Sequence, residues 1–582
     1  MAANSSLGTS FSKLFQVLKP DRKEIGYIYF YAVLVGVLAL VGPIGVQAVI
    51  NLIAGGEFNA SLVVLVIVVT GASVLVGVLK VMQYVIAETL QRRIFSRAAF
   101  EFAYRLPRIK LSALDDHYAP ELVNRFFDTL TLQKGLPKIL LDFSGAIFQI
   151  LFGLVLVSLY HPFFAAFGAV LLLLLFLLLR LAAPAGLTTS LTESKYKYQV
   201  AGWLEDIARA NNTFKLAGGE RLTMRRTDNL VVKYLDARKS HFRILLFHYG
   251  GLIAFQALVA ACFLLLGAKL VIENQINIGQ FVAAEIVILL IVSSAEKLVF
   301  TLDVVYDTLT GVEKISAVTE LELETDGDLT FGAIDTGKGL KVEANDLHFQ
   351  YPKSGVEALK GVEFTIPSGQ NVCVAGYNRS GRSTLLQLLA GLRTDFEGTL
   401  AFNDTPLANL QLSSLRCFIG DYSPEEAIIP GNIIDNICLG HPDVAFDDVK
   451  WAMEIAQLTE WITELDKGYD FELLAEGLNV PSSIRTRLLL ARAIVRRPRL
   501  VVLGELLDQL EPVTRRRIIE GLTAADTCWT LVLTSNDPET VRACDRVLLM
   551  RRGRILLDGE PEDVLENTTH STIWQRSVRD QP

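Results

Sequence analysis

Gly376-Tyr377-Asn378-Arg379-Ser380-Gly381-Arg382-Ser383-Thr384 is the stretch that decides how the chain is read. It follows an apolar run, Val372-Cys373-Val374-Ala375, and precedes a run with helical pattern, Leu385-Leu386-Gln387-Leu388-Leu389. Strand, glycine loop and helix in that order are the context of a phosphate-binding loop, in which backbone N–H groups and a helix N-terminus turn toward phosphate oxygens. Gly376, Asn378, Arg379, Ser380, Gly381, Arg382, Ser383 and Thr384 are therefore candidate nucleotide-binding residues, and the Ser383 hydroxyl is a weak candidate ligand for Mg²⁺. The pattern G-x-x-x-x-G-K-[ST] is met everywhere except at its lysine, which here is Arg382. Taken alone, the stretch competes with a chance glycine-rich turn.

The rest of the composition points to a membrane. The chain has 582 residues, 51% of them hydrophobic, and a mean hydropathy of +0.37, more apolar than a soluble domain of this size. A net charge of −8 argues against a nucleic-acid binder. The six Cys are scattered without metal-type spacing and read as reduced and structural. Apolar stretches fall at about 25–53, 61–89, 139–160, 162–184, 244–273 and 277–300. Each can cross a hydrocarbon core, which takes ~20 helical residues. No short cleavable leader is expected. Lys and Arg crowd the N-terminal flank and the segments near 90–138 and 185–243, whereas the connections around Glu57, His161 and Glu273 are short and poor in them. The positive-inside rule then places both termini and both long loops in the cytoplasm.

Phe11, Leu14, Phe15 and Leu18 recur at helical spacing beside Lys13 and Lys19, so 1–24 is read as an interfacial helix. The long loops keep a helical pattern, and the spans are expected to continue past the membrane and turn back near 112–120 and 200–212. Glu285 lies inside the sixth span, where a carboxylate is costly and often functional; a wet or interfacial position without a role is the plainer reading. The polar, Gly/Asp-rich segment 320–339 reads as a linker. Beyond it, 340–582 alternates strand-like and helical runs, an α/β domain.

Polytopic helical spans over 25–319, two long cytoplasmic helical loops and a C-terminal phosphate-loop domain together resemble an ABC exporter half-transporter over nearly the whole chain. The nucleotide domain carries further landmarks. Phe349-Gln350-Tyr351-Pro352 is similar to the family's aromatic loop, which implies that Tyr351 stacks adenine. Gly431-Asn432-Ile433 with Asn436-Ile437 resembles its G-T-I-x-x-N-I run, and Gly468-Tyr469-Asp470 with Glu476-Gly477 its approach to the signature loop. In this family two such domains face each other, and ATP lies between one domain's phosphate loop and the other's signature loop.

The chain departs from the family pattern at most chemical positions. A guanidinium, broader and planar, replaces the compact lysine at Arg382, and Arg379 stands where glycine is usual. The acidic pair after the apolar run 501–503 is Gly504-Glu505. The family's Mg²⁺-shell Asp is thus missing, while Glu505 matches the general base. The glutamine near the γ-phosphate falls on Pro424 and the switch histidine on Asn536, which cannot titrate as imidazole does. The signature L-S-G-G-Q falls on Val480, Pro481, Ser482, Ser483 and Ile484, without the glycine freedom or the amide.

The resemblance implies a homodimer or heterodimer with another half-transporter, contact with membrane lipid, an unnamed transported substrate, and residence in a bacterial inner (plasma) membrane. With any partner, one composite site would contain Arg382, Gly504 and Asn536, and the other the altered signature. ATP binding is expected to survive in weakened form, roughly 10- to 100-fold below a consensus site, with little part for Mg²⁺, and hydrolysis to be weak or absent. A silent transporter-like scaffold or regulator, and a fully active exporter, are the alternatives.

Overall fold

The computed structural model describes residues 7–54, 60–115, 119–333, 339–352, 355–423, 426–525, 527–567 and 574. Glu57, the middle of the 112–120 turn, part of the 320–339 segment and Pro424 lie outside them. By contact the chain divides into two units, Met1–Ile109 with His117–Glu322, and Lys110–Asp116 with Leu323–Pro582.

The first unit is helical. It holds α1 (Leu7–Leu18), α2 (Arg22–Ala39), α3 (Val41–Ala54) and α4 (Ala60–Arg105). After the α5 segment (Leu111–Leu114), which falls in the other unit, come α6 (Asp128–Lys138), α7 (Ser144–Tyr160), α8 (Pro162–Arg209), α9 (Glu220–Ile272) and α10 (Ile278–Thr319). Among the described residues six helical stretches are long and apolar enough to cross a membrane. The first expected span is two helices, α2 and α3, because the Pro43 ring near the start of α3 cannot continue the hydrogen-bond ladder. The third runs from α6 into α7 through a π-helical turn at Ile139–Phe143 that follows Pro137.

At 1.5 Å per residue, the 53 residues of α9 extend about 80 Å, against a ~30 Å hydrocarbon core. The helices therefore run on well beyond the apolar stretches. The second turn lies somewhat later than expected: α8 reaches Arg209, a short helix follows at Asn211–Leu216, and α9 starts at Glu220. Glu285 is half-buried, about two turns into α10.

The apolar face of α1 is not left to lipid. Leu14 and Leu18 are buried in one cluster with Leu309 and Val312 of α10. The Lys13 ammonium bridges Glu313 and Glu320, each at 3.1 Å, and Ser10 Oγ donates to Glu313. Among the described side chains of α1, Phe15, 68% exposed, keeps the outward apolar position of an interfacial helix.

The second unit is built on two larger sheets, beside a two-stranded pair of Gly431–Asn432 with Glu472–Leu473. The antiparallel one contains β1 (Val342–Gln350), β2 (Glu357–Ile366), β4 (Glu397–Phe402) and β5 (Thr405–Pro406), in the order β2-β1-β4-β5. The other contains β3 (Asn371–Gly376), β6 (Ile419–Tyr422), β7 (Leu500–Leu503), β8 (Thr530–Thr534), β9 (Arg546–Arg551) and β10 (Arg554–Gly559). Its order is β10-β9-β3-β8-β7-β6, parallel except for the β9–β10 edge pair. Strands buried on both faces read as continuous apolar runs, and every residue of β7 and β8 is buried.

The segment read as a linker is in fact packed from Leu323 to Ala333. Gly327 N–H donates to Leu410 O at 3.0 Å, Leu329 pairs with Leu410, and Asp326 accepts from Leu412 N–H at 2.8 Å. Glu324 meets Arg416 through two bonds of 2.7 Å, and Phe331 is fully buried. Its polar residues are those of a strap with distant partners, a composition that also describes a loose linker.

Helix packing in the first unit gives a test. A Cβ on Gly186 of α8 would lie 2.3 Å from the ring of buried Tyr306 on α10, whereas nothing lies within 4 Å of one on Gly202. Gly186→Ala should lower the thermal midpoint of the purified protein, as overpacking by about 1–3 kcal/mol does. Gly202→Ala should leave it unchanged or raise it, since alanine is the better helix former by up to ~1 kcal/mol. Equal midpoints for the two variants would refute this packing.

Candidate nucleotide-binding site

The strand order assembles the site. β8 lies between β3, which leads into the glycine loop, and β7, which leads into Gly504-Glu505. The registers Thr534↔Val374 and Leu533↔Leu503 bring the ends of all three strands to one level. Residues just beyond those ends then converge, as ligand sites in parallel sheets do. Here they are Gly376, Asn536 and Glu505.

The loop has the shape of a phosphate cradle. Gly376 has φ +158°, and a Cβ there would lie 2.3 Å from Met550 O; Gly381, at φ +100°, would meet Ala358 O at 2.5 Å. A side chain at either place would force the loop off the sheet. Gly381 caps an eight-residue helix, α11 (Arg382–Leu389), whose first-turn N–H groups have no helical partner. Ser380 is 2% exposed, and its Oγ has no hydrogen-bond partner among the described residues. A buried orphan hydroxyl beside a helix start fits a phosphate oxygen, so these residues suit the ATP that the motif implies. Arg379 adopts φ +62°, strained for a non-glycine residue, while its side chain is exposed. Asn378 and Ser383 are exposed as well.

Arg382 does not project freely. Its side chain is 7% exposed; one Nη donates to Glu505 Oε1 at 2.8 Å and the other to Asn536 Oδ1 at 3.3 Å. Asn536 in turn holds the loop in both directions. Its Oδ1 accepts from Gly376 N–H at 3.0 Å, and its Nδ2 donates to Gly376 O at 3.1 Å. An imidazole could not make this two-way pair with one residue's backbone donor and acceptor as an amide does. Asp508 supports the same turn by accepting from Ser535 Oγ at 2.6 Å. Gly504 has only backbone to offer, and its N–H donates to Tyr422 O at 2.8 Å.

Tyr351 is engaged differently from the expected adenine shelf. Its hydroxyl bonds Thr384 Oγ1 at 3.1 Å, and the Arg393 guanidinium lies 4.9 Å from its ring centroid. Arg393, 5% exposed, also makes a two-point pair with Asp115 at 2.7 and 3.1 Å and donates to Gln387 at 3.0 Å. One ring face thus carries a guanidinium, and the Thr384 hydroxyl is committed to the tyrosine. The sequence reading did not find Arg393 or Asp115; their separation of 278 residues leaves no local signal.

The signature positions form the start of α12 (Ser482–Ile494), with Pro481 preceding its first turn. Pro481, Ser482 and Ser483 are exposed, Val480 is half-buried, and Ile484 is 6% exposed within the core. The isoleucine is therefore core packing.

Glu426, two residues after Pro424, is a further residue for which the sequence gives no local signal. It is 27% exposed with Arg492 3.9 Å away, and its Oε2 has no hydrogen bond among the described residues. Burial pushes its carboxyl up to about 7, and Arg492 offsets only part of that. Between about pH 4.5 and 7 the folded protein thus retains a proton that the unfolded chain releases, so this group's contribution to stability falls as pH rises through that window. Glu426→Gln should raise the thermal midpoint relative to wild type at pH 8 and bring no such gain at pH 5. A difference independent of pH would contradict this assignment.

Two family models match the chain, the ABC transporter transmembrane region over residues 25–294 and ABC transporter over residues 359–507. An uncharacterized ABC transporter ATP-binding protein of Bacillus subtilis, YfiB, is 29% identical over 256 residues, 44% of each chain. The Mesentericin-Y105 transport/processing ATP-binding protein MesD of Leuconostoc mesenteroides is 26% identical over 62% of this chain and 50% of its own. The transport/processing ATP-binding protein ComA of Streptococcus pneumoniae is 22% identical over 94% of this chain and 76% of its own. The chain thus spans about half the length of the first of these relatives. A solved bacterial Atm1-family ABC exporter with ATP bound shares the fold, with a TM-score of 0.85 over 96% of this chain and 99% of that one at 18% identity. A membrane region of six candidate spans followed by a phosphate-loop domain, matched by both family models, makes this chain a member of the ABC transporters, with the fold of the solved exporter.

Proposed function

We propose that the chain is one half of a dimeric ABC exporter in a bacterial inner membrane, with both termini cytoplasmic, whose nucleotide domain is degenerate: it binds ATP weakly and hydrolyses it slowly or not at all. The observation that carries this reading is the buried Arg382 guanidinium tied to Glu505 and Asn536. Phosphoryl transfer depends almost wholly on positioned charge around the phosphates and metal. Here the cation at the lysine position is held by the carboxylate at the base position, and Gly504 offers no carboxylate to Mg²⁺. The Ser383 hydroxyl is the remaining metal-ligand candidate, which supports a minor role for Mg²⁺. When bound, ATP and Mg²⁺ would supply the phosphoryl group and its charge neutralisation. The chain's own part is to cradle phosphate with Gly376, Ser380, Gly381 and the start of α11.

Dimerisation follows from family architecture, because a domain of this type encloses ATP only against a second one. The partner is a second copy of this chain or another half-transporter. A silent scaffold or regulator is the second reading, favoured by the same Arg382–Glu505 pair if turnover is absent in every pairing.

Phosphate release by the purified full chain in nanodiscs should be near background and unchanged by Glu505→Gln, and Arg382→Lys alone should not restore it. Vigorous Mg²⁺-dependent release abolished by Glu505→Gln would show a working engine and end the degenerate reading. For orientation, a Cys placed at Glu273 should be labelled from outside intact cells and one at Arg221 should not; the reverse pattern would invert the topology.

A further inference from the structure

We propose that this site reads the diphosphate portion of a nucleotide and is indifferent to the γ-phosphate, because Asn536 is bound into the phosphate loop and so is not free to sense one. The inference rests on the reading above that nucleotide still binds here, and it specifies what is recognised.

The cradle itself has what a diphosphate needs: close backbone approach at Gly376 and Gly381, an eight-residue helix start, and the orphaned, 2%-exposed Ser380 Oγ. None of those features depends on a third phosphate. The groups that would read one are engaged elsewhere or absent. Asn536 Oδ1 already accepts from Gly376 N–H and Arg382, and Nδ2 donates to Gly376 O, leaving one amide hydrogen. To turn toward a ligand the amide would have to abandon the N–H and the C=O of the loop's first glycine at once. A new charge-assisted bond adds little when two existing bonds must break to form it.

Arg382 is constrained in the same way. Leaving Glu505 and Asn536 would strip a 7%-exposed guanidinium of both acceptors. The Glu505 carboxylate also adds negative charge where Gly504 supplies no carboxylate to hold a compensating metal. An added γ-phosphate therefore meets no free reader among these residues, and the Mg²⁺ that usually bridges the β- and γ-phosphates has little to bind.

The test is isothermal titration of the full chain in nanodiscs with ADP and with ATP, first in EDTA, where turnover is prevented, and then with Mg²⁺. The expected result is two dissociation constants within about threefold of each other in both conditions. In an Asn536→Ala variant both should weaken by the same factor, so that their ratio holds; the wild-type ratio decides the matter if that variant does not fold. ATP binding more than tenfold tighter than ADP without phosphate release would overturn this inference and leave the proposed function standing. Tighter ATP binding with Mg²⁺-dependent release would overturn both. Failure of either nucleotide to bind at millimolar concentration would overturn the inference together with the binding half of the proposed function.

Discussion

A buried guanidinium must be answered by acceptors within reach, because an uncompensated charge in a protein interior costs several kcal/mol. Arg382 is such a group, and the arrangement around it follows from that need. Glu505 supplies a carboxylate at 2.8 Å and Asn536 a carbonyl oxygen at 3.3 Å. The same Asn536 amide then closes on Gly376 through its donor and its acceptor. One cation thereby joins the ends of three neighbouring strands, and the glycine loop is held between them.

The parallel sheet makes that junction possible. Because β8 runs between β3 and β7, whatever follows it lies between the phosphate loop and the acidic position. A different residue at 536 would occupy the same place and form other bonds. The fold thus fixes the meeting point, and the side chains decide what is done there. A solved relative with the same fold at 18% identity is consistent with that division, since fold persists where site chemistry is free to vary.

Away from the nucleotide site, partners far apart in sequence recur as the organising device. Glu324 and Arg416 fasten the segment before β1, and Asp115 and Arg393 fasten α5 to the unit that contains the phosphate loop. Lys13 ties α1 to the end of α10 in the other unit. The Glu324–Arg416 and Lys13–Glu313 pairs are partly buried and still reached by solvent, which screens them. Arg393 differs because it is 5% exposed, donates to Gln387 and stacks over Tyr351, so its charge is answered on several sides.

The sequence by itself determined the membrane spans, the α/β domain and the position of the phosphate loop. Those features depend on periodicity and on local glycine geometry, which neighbouring residues encode. It also determined the chemical identity of the altered positions, Arg382, Gly504 and Asn536. Only the tertiary structure decided what those side chains do: that Asn536 grips Gly376, that Arg382 pairs with Glu505 across 123 residues, that Tyr351 lies under Arg393, and that the supposed linker is a strap. These contacts are set by strand order and register, and no local pattern in the chain records which distant residue will stand opposite another.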